Sequence, residues 1–142
     1  MSLYLDTSCL WKLLVVEPES ARVNEIVFGE IEVIVSTYAE LETEQQLLSL
    51  RLGGRMKPRH YTRTCGVLAG FRGSEPFRHR SVPHDLAQIA RRQILNSDVY
   101  CRTPDRLHLA AMEALGVSRL LTNDDQQAAA ARALGFGVVL PR

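Results

Sequence analysis

Five short strand-like runs alternate along the chain with stretches whose apolar residues recur at helical spacing. Strands separated by helices do not pair as tight hairpins. They favour a parallel sheet covered on both faces and built by right-handed crossovers. The predicted strands are residues 2–5, 31–35, 77–82, 119–122 and 138–140. Helices are predicted over residues 9–16, closed by Pro18, over 20–28, and over 37–52, with Gly53-Gly54 as the stop. Residues 58–69 have helical composition and 70–76 read as a loop. Leu86, Ile89, Ala90 and Ile94 then mark one helix, and Leu107, Ala110, Ala111, Ala114 and Leu115 mark another. An alanine-rich helix over 125–134 ends at Gly135. No period of ~20–50 residues signals a repeat array. The expected architecture is α/β: a three-layer sandwich with a central, mostly parallel sheet flanked by helices, forming one domain over residues 1–142.

At 142 residues the chain is long enough to bury a single core, and no segment is poor enough in apolar residues to stay disordered. The longest apolar runs, Val33-Ile34-Val35 and Leu13-Leu14-Val15-Val16, fall far short of the ~20 residues that span a bilayer. No signal-peptide pattern precedes Leu3-Tyr4-Leu5, so a cytoplasmic location is expected. Cys9, Cys65 and Cys101 are odd in number and widely spaced, which argues for reduced thiols over disulfides or a zinc site. The net charge of +1 conceals an asymmetry: residues 1–44 carry nine acids against two bases, whereas residues 45–80 carry eight bases against Glu75 alone. Arg51, Arg55, Lys57 and Arg59 open this basic stretch. Such a patch attracts nucleic-acid phosphates through counterion release, although a solvated helix face gives the same count.

Ligands of open parallel sheets sit beyond the carboxyl ends of the strands, where loops and helix N-termini converge. Asp6 closes the first predicted strand, Asp124 follows the fourth, and Asp105 lies in the first turn after Thr103-Pro104. Taken singly, each reads equally well as a helix cap or a first-turn acid. Three acids, Glu40, Glu42 and Glu44, compete in the helix after the second strand. Glu40 and Glu44 are four residues apart and share a face, where two like charges are tolerable mainly if solvated, so both are expected at the surface. Glu42 points away from that face and leans towards the sheet edge.

These residues carry a family resemblance. Tyr4-Leu5-Asp6-Thr7-Ser8 with Leu10 and Lys12, Val35-Ser36 with Glu42-Thr43, Asp105-Arg106-Leu107-His108-Leu109-Ala110-Ala111, and Leu120-Leu121-Thr122-Asn123-Asp124 leading to Ala133-Leu134-Gly135 follow one another in order. In this order the chain resembles a PIN domain, specifically the VapC-like ribonuclease toxins. Residues 53–82 match no motif of that family. The resemblance implies a PIN-like fold, Mg²⁺- or Mn²⁺-dependent hydrolysis of RNA phosphodiester bonds, and metal-binding, catalytic roles for Asp6, Glu42, Asp105 and Asp124. It also implies a small antitoxin protein as partner, often inserting an Arg among the carboxylates, and a homodimer.

Four carboxylates without thiol or histidine form a hard-oxygen environment suited to Mg²⁺ or Mn²⁺. Without metal such crowding raises at least one pKa; with metal each anion becomes a ligand. The expected mechanism is in-line attack on phosphorus by a water that the metal and a nearby carboxylate activate. Thr7, Ser8 and Thr122 place hydroxyls where they can orient carboxylates or water, or else cap helices. His108 shares a helix face with Asp105 and is read as a structural hydrogen-bonding residue. Trp11 and Tyr4 are read as core or interface residues rather than as base-stacking platforms. Two competing readings remain. Asp6-Thr7-Ser8 also resembles the start of haloacid-dehalogenase-like phosphatases, but that motif needs a second Asp where this chain has Ser8. The other is a PIN-fold protein that acts mainly by binding a partner.

Overall fold

The computed structural model describes residues 1–142. In chain order its elements are β1 (Leu3–Leu5), α1 (Thr7–Leu14), α2 (Ser20–Phe28), β2 (Val33–Ser36), α3 (Thr37–Leu52), α4 (Pro58–Gly70), β3 (Phe77–Arg80), α5 (Leu86–Leu95), α6 (Thr103–Leu115), β4 (Arg119–Leu121), α7 (Asp125–Ala133) and β5 (Gly137–Val139). The five strands form one sheet in the order β3-β2-β1-β4-β5, and every pairing is parallel. The predicted alternation of strand and helix therefore holds along the whole chain. Boundaries shift by one or two residues. For instance, α1 begins at Thr7 rather than Cys9 because Asp6 accepts a hydrogen bond from the Ser8 amide and caps the helix earlier.

Strand periodicity divides the core in two. Leu3, Leu5, Val33, Val35 and Leu121 face one side with Leu10, Val23 and Val27 of α1 and α2, while Tyr4, Ile34 and Leu120 face the other with Leu109 and Met112 of α6 and Ala130 and Ala131 of α7. Strand residues in both sets are buried, as expected for parallel strands sandwiched between helical layers. Each fully enclosed aliphatic side chain stabilises the fold by roughly 1.5–3 kcal/mol relative to exposure. A smaller cluster of Trp11, Leu47 and Met56 clamps α1 to α3 and to the α3–α4 turn. No helix is long and apolar enough to cross a membrane.

Glu40 departs from its expected place. It is buried at 8% exposure, pairs with Arg72 from the short turn after α4, and lies 3.2 Å from the ring of His79 on edge strand β3. Glu44 stays exposed. The like-charge argument assumed that only water could compensate both acids, but a basic partner 32 residues away compensates one of them.

His79 is itself enclosed, and neither ring nitrogen has a hydrogen-bonding partner of good geometry. Burial pushes its pKa below the ordinary histidine range, Glu40 opposes this, and Arg72 adds to it. A folded-state pKa below the unfolded value of about 6.5 means that stability is present above pH ~6.5 and is lost as pH falls through the folded value. The thermal midpoint should therefore drop on acidification below this range, and His79→Gln should flatten that slope. An unchanged slope in the variant would assign the acid lability elsewhere.

Candidate active site

All carboxyl ends of a parallel sheet lie along one edge, and the chain reverses its direction of winding between β1 and β4, where α/β folds open a crevice. A cavity of about 390 Å³ occupies that crevice, and Asp6, Glu42, Asp105 and Asp124 all line it. The four acids come from separate segments for simple local reasons. Asp6 ends β1 and caps α1, Asp124 follows β4 and caps α7 by accepting from the Gln127 amide at 2.7 Å, and Asp105 stands in the first turn of α6. Three helix N-termini thus point their positive dipole ends at one cavity, which stabilises negative charge there. Glu42 alone belongs to no helix terminus; it reaches the cavity from the second turn of α3.

Depth separates the acids. Asp6 and Asp105 are buried at 4% and 6% exposure, whereas the side chains of Asp124 and Glu42 are 32% and 28% exposed at the rim. Asp6 is held by both oxygens: Oδ2 accepts from the Ser8 hydroxyl at 2.7 Å, the Ser8 amide at 3.2 Å and the Thr122 hydroxyl at 3.4 Å, while Oδ1 accepts from Gln127 Nε2 at 3.1 Å. Thr7 donates its hydroxyl to Glu42 Oε1 at 2.7 Å. All three hydroxyl residues named from the sequence therefore touch a carboxylate of the site. Arg51, Arg55, Lys57 and Arg59 do not line the cavity. They are exposed around the α3–α4 turn, and Arg51 lies over the Tyr61 ring at 4.8 Å.

His108 lies beneath the cavity at 1% exposure. Its Nε2 is 2.5 Å from Glu42 Oε1 and 3.7 Å from Asp6 Oδ1, and its Nδ1 is 2.8 Å from the Tyr4 hydroxyl, which stands 2.7 Å from Ser36 Oγ. Burial disfavours the imidazolium, but the Glu42 hydrogen bond and the charges of Asp6, Glu42 and Asp105 outweigh it and raise the pKa. With both nitrogens protonated, the ring donates to Glu42 and to Tyr4, and Tyr4 donates to Ser36. A relay of hydrogen bonds thus runs from the ends of β1 and β2 to the cavity. Burial likewise raises the Asp105 carboxyl; Arg102 opposes this, with Nε 3.2 Å from Oδ2, and the charges of Asp6 and Asp124 add to the rise.

Two residues of this network carried no functional signal in the sequence. Gln127 is fully enclosed, and besides Asp6 it approaches the Asp105 carbonyl at 3.5 Å, so its side chain and amide together touch three of the four acids. Its only sequence cue was its position three residues after Asp124, where a capped amide is expected. Arg102 spans Asp105 and, at 4.0 Å, Asp124; as an exposed residue ahead of a Thr-Pro helix start it looked like any other surface base.

Contrary to the expectation of a site without histidine, His108 also borders the cavity, but its nitrogens face Glu42 and Tyr4. The donors left for a ligand are carboxylate and hydroxyl oxygens, which fit a hard divalent ion such as Mg²⁺ or Mn²⁺ rather than a thiophilic one. Arg102 engages Asp105 through Oδ2 and His108 engages Glu42 through Oε1, which leaves Asp105 Oδ1 and Glu42 Oε2 clear of those contacts.

A five-stranded parallel sheet between helical layers, with four separated acids meeting beyond its β1 and β4 ends, defines an α/β domain with an acidic site. The PIN domain family model matches residues 3–133, and the chain belongs to that family. It is 29% identical to Ribonuclease VapC46 of Mycobacterium tuberculosis over 142 residues, covering 99% of this chain and 98% of the relative. Among solved structures it is similar to M. tuberculosis VapC20, a toxin that cleaves the sarcin–ricin loop (TM-score 0.70, 21% identity, 94% of this chain and 95% of that one). It is also similar to FitAcB from Neisseria gonorrhoeae (TM-score 0.71, 17% identity, 98% and 97% covered). At these identities the solved structures establish the shared fold.

Proposed function

We propose that this chain is a Mg²⁺- or Mn²⁺-dependent endoribonuclease, acting as one domain in the cytoplasm and forming the toxin of a toxin–antitoxin pair. The observation that carries the reading is the convergence of Asp6, Glu42, Asp105 and Asp124 on one cavity. The names of the relatives, a ribonuclease and a toxin that cleaves the sarcin–ricin loop, support RNA as substrate. Neighbours that include a toxin–antitoxin complex from Klebsiella pneumoniae support a small protein partner. The family resemblance adds a homodimer.

A bound divalent ion would supply Lewis acidity at the phosphate and lower the pKa of the attacking water. Asp6 and Asp105, buried and anchored, are suited to hold it, with Asp124 closing the site from the rim. His108, hydrogen-bonded to Oε1 of Glu42 from below, fixes the orientation of that carboxylate. Thr7, Ser8 and Thr122 hold carboxylate orientations. The exposed Arg51, Arg55, Lys57 and Arg59 extend RNA contact beyond the cavity, beginning nine residues along α3 from Glu42, or ~14 Å of helix rise.

The test is cleavage of a panel of structured RNAs with Mg²⁺, Mn²⁺ or EDTA. Cutting is expected with either ion, giving 5′-phosphate and 3′-hydroxyl ends, and none in EDTA. Undiminished cutting in EDTA would sink the metal reading. Expression of the chain alone should arrest growth, and co-expression of a cognate antitoxin should relieve the arrest.

A further inference from the structure

A second cavity, of about 380 Å³, opens on a neighbouring face of the first turn of α6. Residues of that turn alternate between the two sites: Arg102 and Asp105 line the carboxylate cavity, whereas Thr103 and Arg106 line the second. Arg106 is anomalous. It is 3% exposed and donates Nη2 to the Val99 carbonyl at 3.1 Å, but Nη1 is enclosed without a hydrogen-bond partner. No carboxylate oxygen lies within the 4.0 Å of an ion pair. A buried guanidinium without a counter-anion is strongly unfavourable, and the ligand that relieves it is an oxyanion. Thr103, the first residue of α6, lines the same cavity and brings a hydroxyl donor beside Arg106. Tyr100 stands at the mouth with 72% exposure, and exposed Asp98 is the one acid of the lining.

We propose that Arg106 and the first turn of α6 form a phosphate subsite. It takes an RNA backbone phosphate neighbouring the one cleaved at the carboxylates, and the attached base stacks on Tyr100. An aromatic face beside a buried cation is the arrangement that single-stranded RNA recognition uses. The choice of RNA as the source of the phosphate rests on the ribonuclease reading; the anion subsite itself does not.

Two measurements in EDTA test it, so that no divalent ion contributes. The first is thermal unfolding in inorganic phosphate against chloride at matched ionic strength. Phosphate should raise the midpoint of the wild type and of Asp98→Asn, the latter by more, and leave Arg106→Met unmoved. The second is binding of a single-stranded hexaribonucleotide with native or uncharged methylphosphonate linkages. Arg106→Met should weaken native RNA about tenfold, as loss of a charge-assisted hydrogen bond does, and should leave the weaker binding of the uncharged RNA unchanged. If Arg106→Met does not fold, Arg106→Gln, which removes the charge and keeps a donor for the Val99 carbonyl, takes its place in both measurements. A variant that binds native RNA as tightly as the wild type, or that retains the phosphate response, overturns the proposal. Phosphate stabilisation through Arg106 in a protein that cuts no RNA would instead sink the ribonuclease reading and leave an anion site.

Discussion

Asp6→Asn should reduce RNA cleavage by about a thousandfold while leaving the protein folded. Asp6 is buried, and each of its oxygens is fixed by donors from α1, from Thr122 or from α7. On the proposed metal mechanism, removing its charge would deprive the ion of its most constrained ligand, and loss of ~4 kcal/mol of transition-state stabilisation corresponds to roughly that factor. The fold should survive because Asn is as good an N-cap as Asp and keeps the volume, and because the change removes one of several like charges. The checks are single-turnover cleavage with Mn²⁺ and thermal unfolding of the same preparation. A folded Asp6→Asn protein that cuts at the wild-type rate would remove Asp6 from the chemistry. Asp105→Asn should behave similarly, since Asp105 is equally buried. Glu42→Gln should keep metal binding better than either, because Glu42 stands at the rim.

The largest effect on stability is expected at Trp11. Its side chain, 8% exposed, packs with Leu47 and Met56 and with Leu50, Tyr61 and Cys65 around them. Trp11→Ala removes the centre of the only cluster that ties α1 to the α3–α4 turn, and truncating a buried aromatic of this kind costs ~3–5 kcal/mol. Domain stabilities are ~5–15 kcal/mol, so the variant should be barely folded at room temperature. Urea unfolding followed by circular dichroism measures it, since the substitution removes the sole tryptophan. Trp11→Phe should recover most of the loss. If Trp11→Ala unfolds like the wild type but binds RNA poorly, Trp11 is a base-stacking residue and the core assignment is wrong.

Much of the architecture was legible because it rests on local rules. Apolar alternation along β1 and β2, and helical spacing along α5 and α6, are properties of neighbouring residues, so they survive without knowledge of the rest of the chain. The same holds for Asp6, Asp105 and Asp124, whose places at strand ends and helix starts are local and whose convergence follows from the sheet being parallel. Glu42 needed one further step, a choice among three acids on one helix, and α3 does turn it to the cavity. Glu40 shows where that reasoning stopped. Helix geometry could say that it shares a face with Glu44, but not that Arg72 and His79 would meet it there.

The remaining features belong to tertiary structure alone. Gln127 at Asp6, His108 between Tyr4 and Glu42, and Arg102 over Asp105 and Asp124 all depend on pairs brought together by folding, most of them separated by tens of residues. The basic residues make the point most sharply. By count, Arg51, Arg55, Lys57 and Arg59 were the natural candidates for phosphate contact, while Arg106 was one letter within a helix motif. Burial reverses their distinctiveness, because an exposed arginine keeps its hydration wherever it sits, and an enclosed one loses it and needs acceptors or an anion in its place. Sequence by itself determined the α/β alternation, the parallel sheet and the edge at which the acids gather, since periodicity and chain direction are local quantities. Only the folded structure decided which charges lose their water, and the desolvation of a charge depends on every neighbour it acquires.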